Sequence, residues 1–324
     1  AFRTFTTSWI LRIALCPRYF LGTANRSMAS ANTFGNNRDS THVDRLESNQ
    51  RRIVVAYAYL IGWRIVRFLP ESFAYRFFYF IGNYVYRKNG KGVRRLRSNM
   101  QQVTNFEGAK LENLTKNAMR SYMRYWCDTF RMPDWSPTKI NFEVELVNGE
   151  YLTDPLDNGR GVVVALPHSG NWDHAAAYFL GRGYRAVTVA ERLKPEKVFQ
   201  AFLKYRQDLG LEVLASDMRS IPTLIKRAEE GCIIALVADR DLSANGTPVN
   251  FFGKSAKMPA GPVVISQKAN VDLVGAFIVY TKNSIKIYFE KLEKSVQAEA
   301  DFFAKHIAAH PVDWHMLQRI WLDD

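Results

Sequence analysis

Two side chains in the run Ala165-Leu166-Pro167-His168-Ser169-Gly170-Asn171-Trp172-Asp173-His174 have the types and spacing for proton transfer. A neutral imidazole takes a proton from a hydroxyl as that hydroxyl attacks a carbonyl. It does so best when its other ring nitrogen donates to a carboxylate, which fixes the tautomer and stabilises the imidazolium that forms. Asp173 comes after His168 with four intervening residues, and Gly170 between them lets the backbone turn back. Spacing alone leaves a second reading open, a structural histidine at a helix start with Asp173 favouring the positive end of the helix dipole. His168, Asp173 and His174 have no further ligands clustered nearby, so no metal site is assigned.

Something must hold these residues in place. The apolar stretch Gly161-Val162-Val163-Val164-Ala165-Leu166 reads as a buried strand, and Ala175-Ala176-Ala177-Tyr178-Phe179-Leu180 reads as a helix. His168 therefore sits where a strand ends and a helix begins, the edge of an α/β sheet at which ligands bind. Further strands are expected at 142–145, 186–190, 212–215, 232–238, 272–280 and 284–289. Helices are expected near 171–181, 195–209, 219–230 and 260–269, with closing helices near 296–308 and 312–321. An earlier helix spans Leu111 to Phe130, stopped by Pro133 and Pro137. This alternation predicts an α/β fold: a central, mostly parallel or mixed sheet of about seven strands, covered by helices on both faces.

Of the 324 residues 47% are hydrophobic, enough for a substantial core. Cys16, Cys127 and Cys232 are far apart and show neither a CxxC pair nor neighbouring histidines, which argues against a disulfide framework or zinc site and for a reducing compartment. The formal net charge of +13 is local: residues 51–100 hold 11 Lys and Arg against the single acid Glu71, whereas residues 101–324 are balanced. A nucleic-acid reader would spread its basic residues over the binding domain, so no nucleic-acid partner is expected.

The basic segment is also aromatic. Its first apolar run, Ile53 to Trp63, is about half the length of a bilayer span, and Arg64, Arg67 and Arg76 interrupt the apolar stretch beyond it. Residues 49–98 are read as basic amphipathic N-terminal helices that lie on an anionic membrane, with Arg87-Lys88 and Lys91 to Arg97 adding a polybasic cluster. Residues 1–48 are read as a poorly ordered extension, translated upstream of a start near Met28, and 49–324 as one domain.

The segment His168-Ser169-Gly170-Asn171-Trp172-Asp173 resembles the H-x-x-x-x-D signature of glycerolipid and lipid A acyltransferases, and its Asn-Trp version resembles the lipid A branch. Within that branch the chain is similar to the actinobacterial phosphatidylinositol mannoside acyltransferases. The similarity runs through Gly62-Trp63-Arg64, Glu191-Arg192-Leu193-Lys194-Pro195, the stretch Lys204 to Gly210, Val237-Ala238-Asp239-Arg240-Asp241-Leu242, Phe251-Phe252-Gly253 and Met258-Pro259-Ala260-Gly261-Pro262. It covers about residues 52–324 in the same order.

This resemblance implies a glycerolipid-acyltransferase-like domain that uses acyl-CoA as co-substrate and no other cofactor. Its acceptor is a mannosylated phosphatidylinositol, which receives a long acyl chain such as palmitoyl on the 6-hydroxyl of the mannose at inositol position 2. His168 is then the general base of a direct transfer. The lack of a G-x-S-x-G elbow and of a cysteine beside the site agrees with this. The resemblance assigns the acidic partner of His168 to Asp239, where relatives are expected to carry glutamate, and leaves Asp173 to orient the ring or hold the sugar. Asn171 and Trp172 fall beside the substrate. Glu191, Arg192 and Arg206 line the donor and acceptor groove, although an arginine there is equally suited to a structural ion pair. Arg240 and Asp241 suit a sugar or a buried salt-bridge knot. The backbone around Gly261, opening a helix, suits a thioester oxygen or a phosphate. A monomer bound peripherally to the cytoplasmic face of the cell membrane is expected. Two other functions compete: a lysophospholipid or lipid A type acyltransferase, which shares His168 and Asp173 but not the later matches, and a non-catalytic membrane lipid-binding protein.

Overall fold

The structure is a computed structural model that describes residue 57 and residues 60–322, apart from 191–195 and 242–244. The expected extension over 1–48 lies outside the described residues. Residues 60–68 are helical. Then come α1 (Glu71–Lys88), α2 (Lys91–Thr104), α3 (Gly108–Arg131), α4 (Pro137–Asn141), β1 (Glu145–Val147), α5 (Glu150–Asp157), β2 (Val162–Leu166), α6 (Trp172–Leu180), β3 (Ala186–Ala190), α7 (Glu196–Asp208) and β4 (Glu212–Ala215). The chain continues through α8 (Ile221–Glu229), β5 (Ile233–Val237), β6 (Thr247–Phe251), β7 (Lys254–Met258), α9 (Gly261–Lys268), β8 (Asp272–Tyr280), β9 (Ile285–Leu292) and α10 (Val296–Ala309).

Every residue of β2 is apolar and buried, so both faces of this strand need a cover. The sheet that provides its neighbours has the order β1-β9-β8-β2-β5-β3-β4. All its pairings are parallel except β8 with β9, which run antiparallel. Strand alternation divides the core into two layers. Val163, Ala165, Ile234, Leu236 and Phe277 face the larger one, which includes residues of α1 to α3, α8 and α10. Val162, Val164, Leu166, Ile233 and Ile278 face the smaller one, under α5 and α6. The helices thus cover both faces of a seven-stranded, mostly parallel sheet.

Helix α1 illustrates how the basic segment folds. Ala74, Phe78, Ile81, Gly82 and Val85 form one buried stripe, Glu71 lies in the first turn, Arg87 and Lys88 lie in the last, and Asn89 ends the helix in the left-handed region. The opposite side is not polar throughout: Phe73 and Phe80 are exposed beside Arg76, and Ile61, Ile65 and Phe68 are exposed beside Arg64 on the preceding turns.

Several expected elements differ. The first strand begins at Glu145, not Phe142, because Ser136 caps the short α4, which occupies residues up to Asn141. Helix α2 runs on to Thr104, past the expected end of the basic helices at 98, and α5 is a helix that the sequence pattern does not indicate. The β6–β7 hairpin is likewise new. Its two-residue turn Phe252-Gly253 has both φ values positive, at 54° and 77°, the geometry that suits a tight hairpin. The closing helix expected over 312–321 is absent. A single 3-10 turn, Pro311–Asp313, leads instead into an extended segment bridged at Ser169↔Trp314 and Ala256↔Trp321. Its apolar residues are held by long-range partners, with both indoles donating away from the segment, to Asp239 and to the Phe251 carbonyl.

Candidate active site

Strands β2 and β5 are parallel neighbours, with Val162 opposite Ile233 and Leu166 opposite Val237. Continued two residues past the strands, this register sets His168 opposite Asp239 at the carboxyl edge of the sheet. The Asp239 Oδ1 lies 2.6 Å from His168 Nδ1, and its Oδ2 accepts the His168 backbone N–H at 3.0 Å and the Trp314 Nε1–H at 2.9 Å. The Asp239 side chain is fully buried, whereas His168 keeps about a quarter of its side chain exposed. Burial pushes the Asp239 carboxyl up, but the charge of His168 and the hydrogen bonds from His168 and Trp314 outweigh it and hold the carboxyl below its ordinary range. With Nδ1 directed at Asp239, Nε2 is the ring nitrogen left to meet a substrate.

The loop carrying His168 is tightly made. Gly170 has φ +54°, and a Cβ there would lie 2.6 Å from the Ile278 carbonyl oxygen, so both the backbone conformation and the space require glycine. Asn171 then starts α6, its side-chain oxygen accepting the His174 N–H at 2.9 Å while its amide reaches Asp128 at 3.4 Å. Asn171 has no exposed surface and is occupied with capping. Trp172, half-buried, stands edge-on to the His168 ring at 5.8 Å and packs on Tyr125 at 4.3 Å.

Asp173 sits in the first turn of α6 and meets a different partner from the one its spacing suggests. It accepts Arg206 Nε at 2.9 Å, Arg206 Nη2 at 3.4 Å and the Tyr125 hydroxyl at 3.2 Å. Both Asp173 and Arg206 border a partly open apolar cleft between α6 and the sheet. Leu166 and Trp172, which flank His168 in the chain, line it, together with Ala176, Ala235, Ile278 and Phe289. Its lining, apolar apart from a few groups such as Asp173, Arg206 and Thr188, suits a hydrocarbon.

Arg240 and Asp241 continue from Asp239 along the sheet edge, and the Asp241 N–H donates to the Lys257 carbonyl at 2.7 Å, tying this loop to β7. Gly261 opens α9 with free space where a Cβ would stand. Glu191 and Arg192 lie outside the described residues. Among the described residues no group of three or more His, Cys, Asp and Glu forms a metal cluster, and no helix is long and apolar enough to cross a membrane. Trp314 and Tyr125, which touch the two acids, give no signal in the sequence: each is an aromatic residue in a stretch whose local pattern suggests only packing.

The arrangement is a histidine with a buried carboxylate behind one nitrogen, edge-on to Trp172, which lines an apolar cleft. The sequence profile of the bacterial lipid A biosynthesis acyltransferase family matches residues 44–323. The phosphatidylinositol mannoside acyltransferase of Mycolicibacterium smegmatis is 36% identical over 283 residues, which cover 84% of this chain and 92% of that protein. The phosphatidylinositol mannoside acyltransferase of Mycobacterium tuberculosis strain CDC 1551 is 37% identical over 293 residues, covering 86% of this chain and 92% of its own length, and that of strain H37Rv matches to the same extent.

Proposed function

The chain belongs to the bacterial lipid A biosynthesis acyltransferase family and is an O-acyltransferase, and we propose that it moves a long acyl chain from acyl-CoA to the mannose 6-hydroxyl of a phosphatidylinositol mannoside. The 2.6 Å contact between His168 Nδ1 and Asp239 carries the mechanism. Asp239 holds the proton on Nδ1, so Nε2 takes the proton of the attacking hydroxyl as its oxygen adds to the thioester carbonyl. The imidazolium that forms is stabilised by the buried carboxylate. It then returns its proton to the departing thiolate, leaving CoA as the free thiol and the ester on the sugar. No covalent acyl-enzyme is needed.

The acyl chain is assigned to the cleft under α6, where Leu166 and Trp172 bring its wall to the histidine. The choice of acceptor rests on the names of the mycobacterial relatives and on their similarity over most of this chain. The exposed Ile61, Ile65, Phe68, Phe73 and Phe80, interleaved with Arg64 and Arg76, support peripheral binding to an anionic lipid surface, where such rings insert and such cations pair. Acyl-CoAs of graded chain length, each offered to the purified protein with mannosylated phosphatidylinositol, lysophospholipid and lipid A precursor in turn, test this reading by mass spectrometry. An acylated mannoside with palmitoyl-CoA is expected. Acylation of only one of the other acceptors would replace the proposal, and the same products from His168→Ala would remove the base assignment.

A further inference from the structure

The segment after α10 crosses directly behind the dyad and makes contacts to both halves of it. The Gly170 N–H donates to the Asp313 carbonyl at 2.9 Å, and the His315 N–H donates to the His168 carbonyl at 2.8 Å, so the loop bearing the histidine is paired like an added strand. Between these two bonds, Trp314 turns its side chain the other way and donates Nε1–H to Asp239 Oδ2. The segment itself is anchored. Asp313 accepts the Ser121 hydroxyl at 2.6 Å and the Tyr280 N–H at 3.0 Å, while the Ser121 oxygen also lies 2.9 Å from His315 Nε2. Trp314 has no exposed surface.

We propose that residues 313–315 are the positioning element of the acyl-transfer dyad, with the Trp314 indole N–H serving to lock the Asp239 carboxylate against rotation and to present Oδ1 to the histidine. This rests on the reading of His168 as the general base. An aspartate carries its carboxylate on a single methylene, so its two oxygens are aimed by whatever grips them. Oδ2 is gripped twice, by the His168 backbone N–H and by the indole, which leaves Oδ1 directed at Nδ1. Each donor on Oδ2 also draws charge away from the carboxylate. Removal of the indole donor frees the carboxylate to turn, and the loss of Oδ1 from Nδ1 outweighs the charge the indole no longer draws, so the imidazolium is held less well. The titratable group facing Asp239 is His168, whose charge, together with burial, also keeps His315 of the same segment neutral.

The test replaces the N–H without changing shape. In the full-length chain, Trp314 is substituted by 3-benzothienylalanine, in which sulfur stands where the indole N–H was, and Trp314→Phe serves as the genetically simpler partner. Two readouts are taken: kcat/KM for acyl transfer against pH, and an NMR titration of the His168 ring without any substrate. The expected result for the isosteric variant is a 10- to 100-fold loss in kcat with KM little changed, the range for a lost hydrogen bond to a buried charge. The acid limb of the profile and the NMR midpoint of His168 both move to lower pH. A role confined to packing would lower the amount of active protein and leave both midpoints in place, and that result overturns the proposal. If no acceptor is acylated by the wild type yet the NMR midpoint still moves, the positioning role stands and the proposed reaction fails.

Discussion

Replacing Asp173 by asparagine separates two roles for the second acid of the motif. In the structure Asp173 is 3% exposed at its side chain and faces Arg206, which is 20% exposed, while the position it would need in order to steer His168 is already held by Asp239. The substitution leaves the shape intact and leaves a largely buried guanidinium opposite a neutral amide. Breaking a buried ion pair at one end costs about 3–5 kcal/mol, and the partial exposure of Arg206 places this pair toward the lower end, about 3 kcal/mol. For a domain of this size each kcal/mol shifts the melting temperature by about 2–4 °C, so a fall of roughly 6–12 °C is expected by differential scanning fluorimetry. The double replacement Asp173→Leu with Arg206→Met, which removes both charges, should recover much of that loss. Below the melting transition the acid limb of the kcat/KM profile should stay where it is in the wild type. Asp239→Asn, by contrast, should lower kcat by at least about 100-fold, because it removes the group that holds the tautomer. If Asp173→Asn melts within about 1 °C of the wild type but loses turnover as Asp239→Asn does, Asp173 acts on the chemistry and the account of it as an architectural acid is wrong.

A pH-dependent stability effect is expected at Glu299. Both of its carboxyl oxygens are buried without a hydrogen-bond partner among the described residues, and burial pushes its pKa up to about 8. A carboxyl that holds its proton longer in the folded than in the unfolded state weakens the fold as pH rises from about 4.5 to 8, by at most about 5 kcal/mol. Glu299→Gln should therefore raise the melting temperature, more at pH 8 than at pH 5, and an equal gain at both would refute the assignment. Burial holds His174 down to about 4 and His315 down to about 3, so both fold neutral and the protein should lose stability as pH falls below about 6.5, read from denaturant midpoints. Ala176→Phe fills the cleft near its wall and should shift acyl-CoA preference to shorter chains in a competition assay; unchanged preference would place the chain elsewhere. Liposome binding should fall with salt and with Arg94→Glu and Arg95→Glu. Arg97 is better left alone in that series, since it is paired with Glu112 and would report on folding instead.

Much of the frame is legible because its signals are local. The unbroken apolar run of β2 announces a strand covered on both faces, and its polar exit at His168, with Gly170 and the capping Asn171 after it, announces the turn into α6. Charge counts locate the basic segment for the same reason. The hairpin turn at Phe252-Gly253 has no such signal, because phenylalanine there must adopt a positive φ, a choice made by packing and not by propensity. The segment 312–321 reads as a helix because its apolar spacing is compatible with one, while its actual partners, Asp239, Ser169 and the β6–β7 hairpin, lie far away in the chain.

The sequence by itself therefore determined the histidine, its place at a strand end and the chemistry an imidazole can do there. It also put an acid near by, at Asp173; spacing alone favoured that acid, the family resemblance pointed to Asp239, and the tertiary structure brings Asp239 to the ring. That outcome depends on the parallel register of β2 against β5, which brings together residues 71 positions apart. Register between strands separated by two other strands and three helices has no local signature, since it is set by how all of those elements pack at once. The same packing carries Arg206 to Asp173 and the Trp314 indole to Asp239, which leaves the nearer acid in an ion pair and makes the distant one the partner of His168.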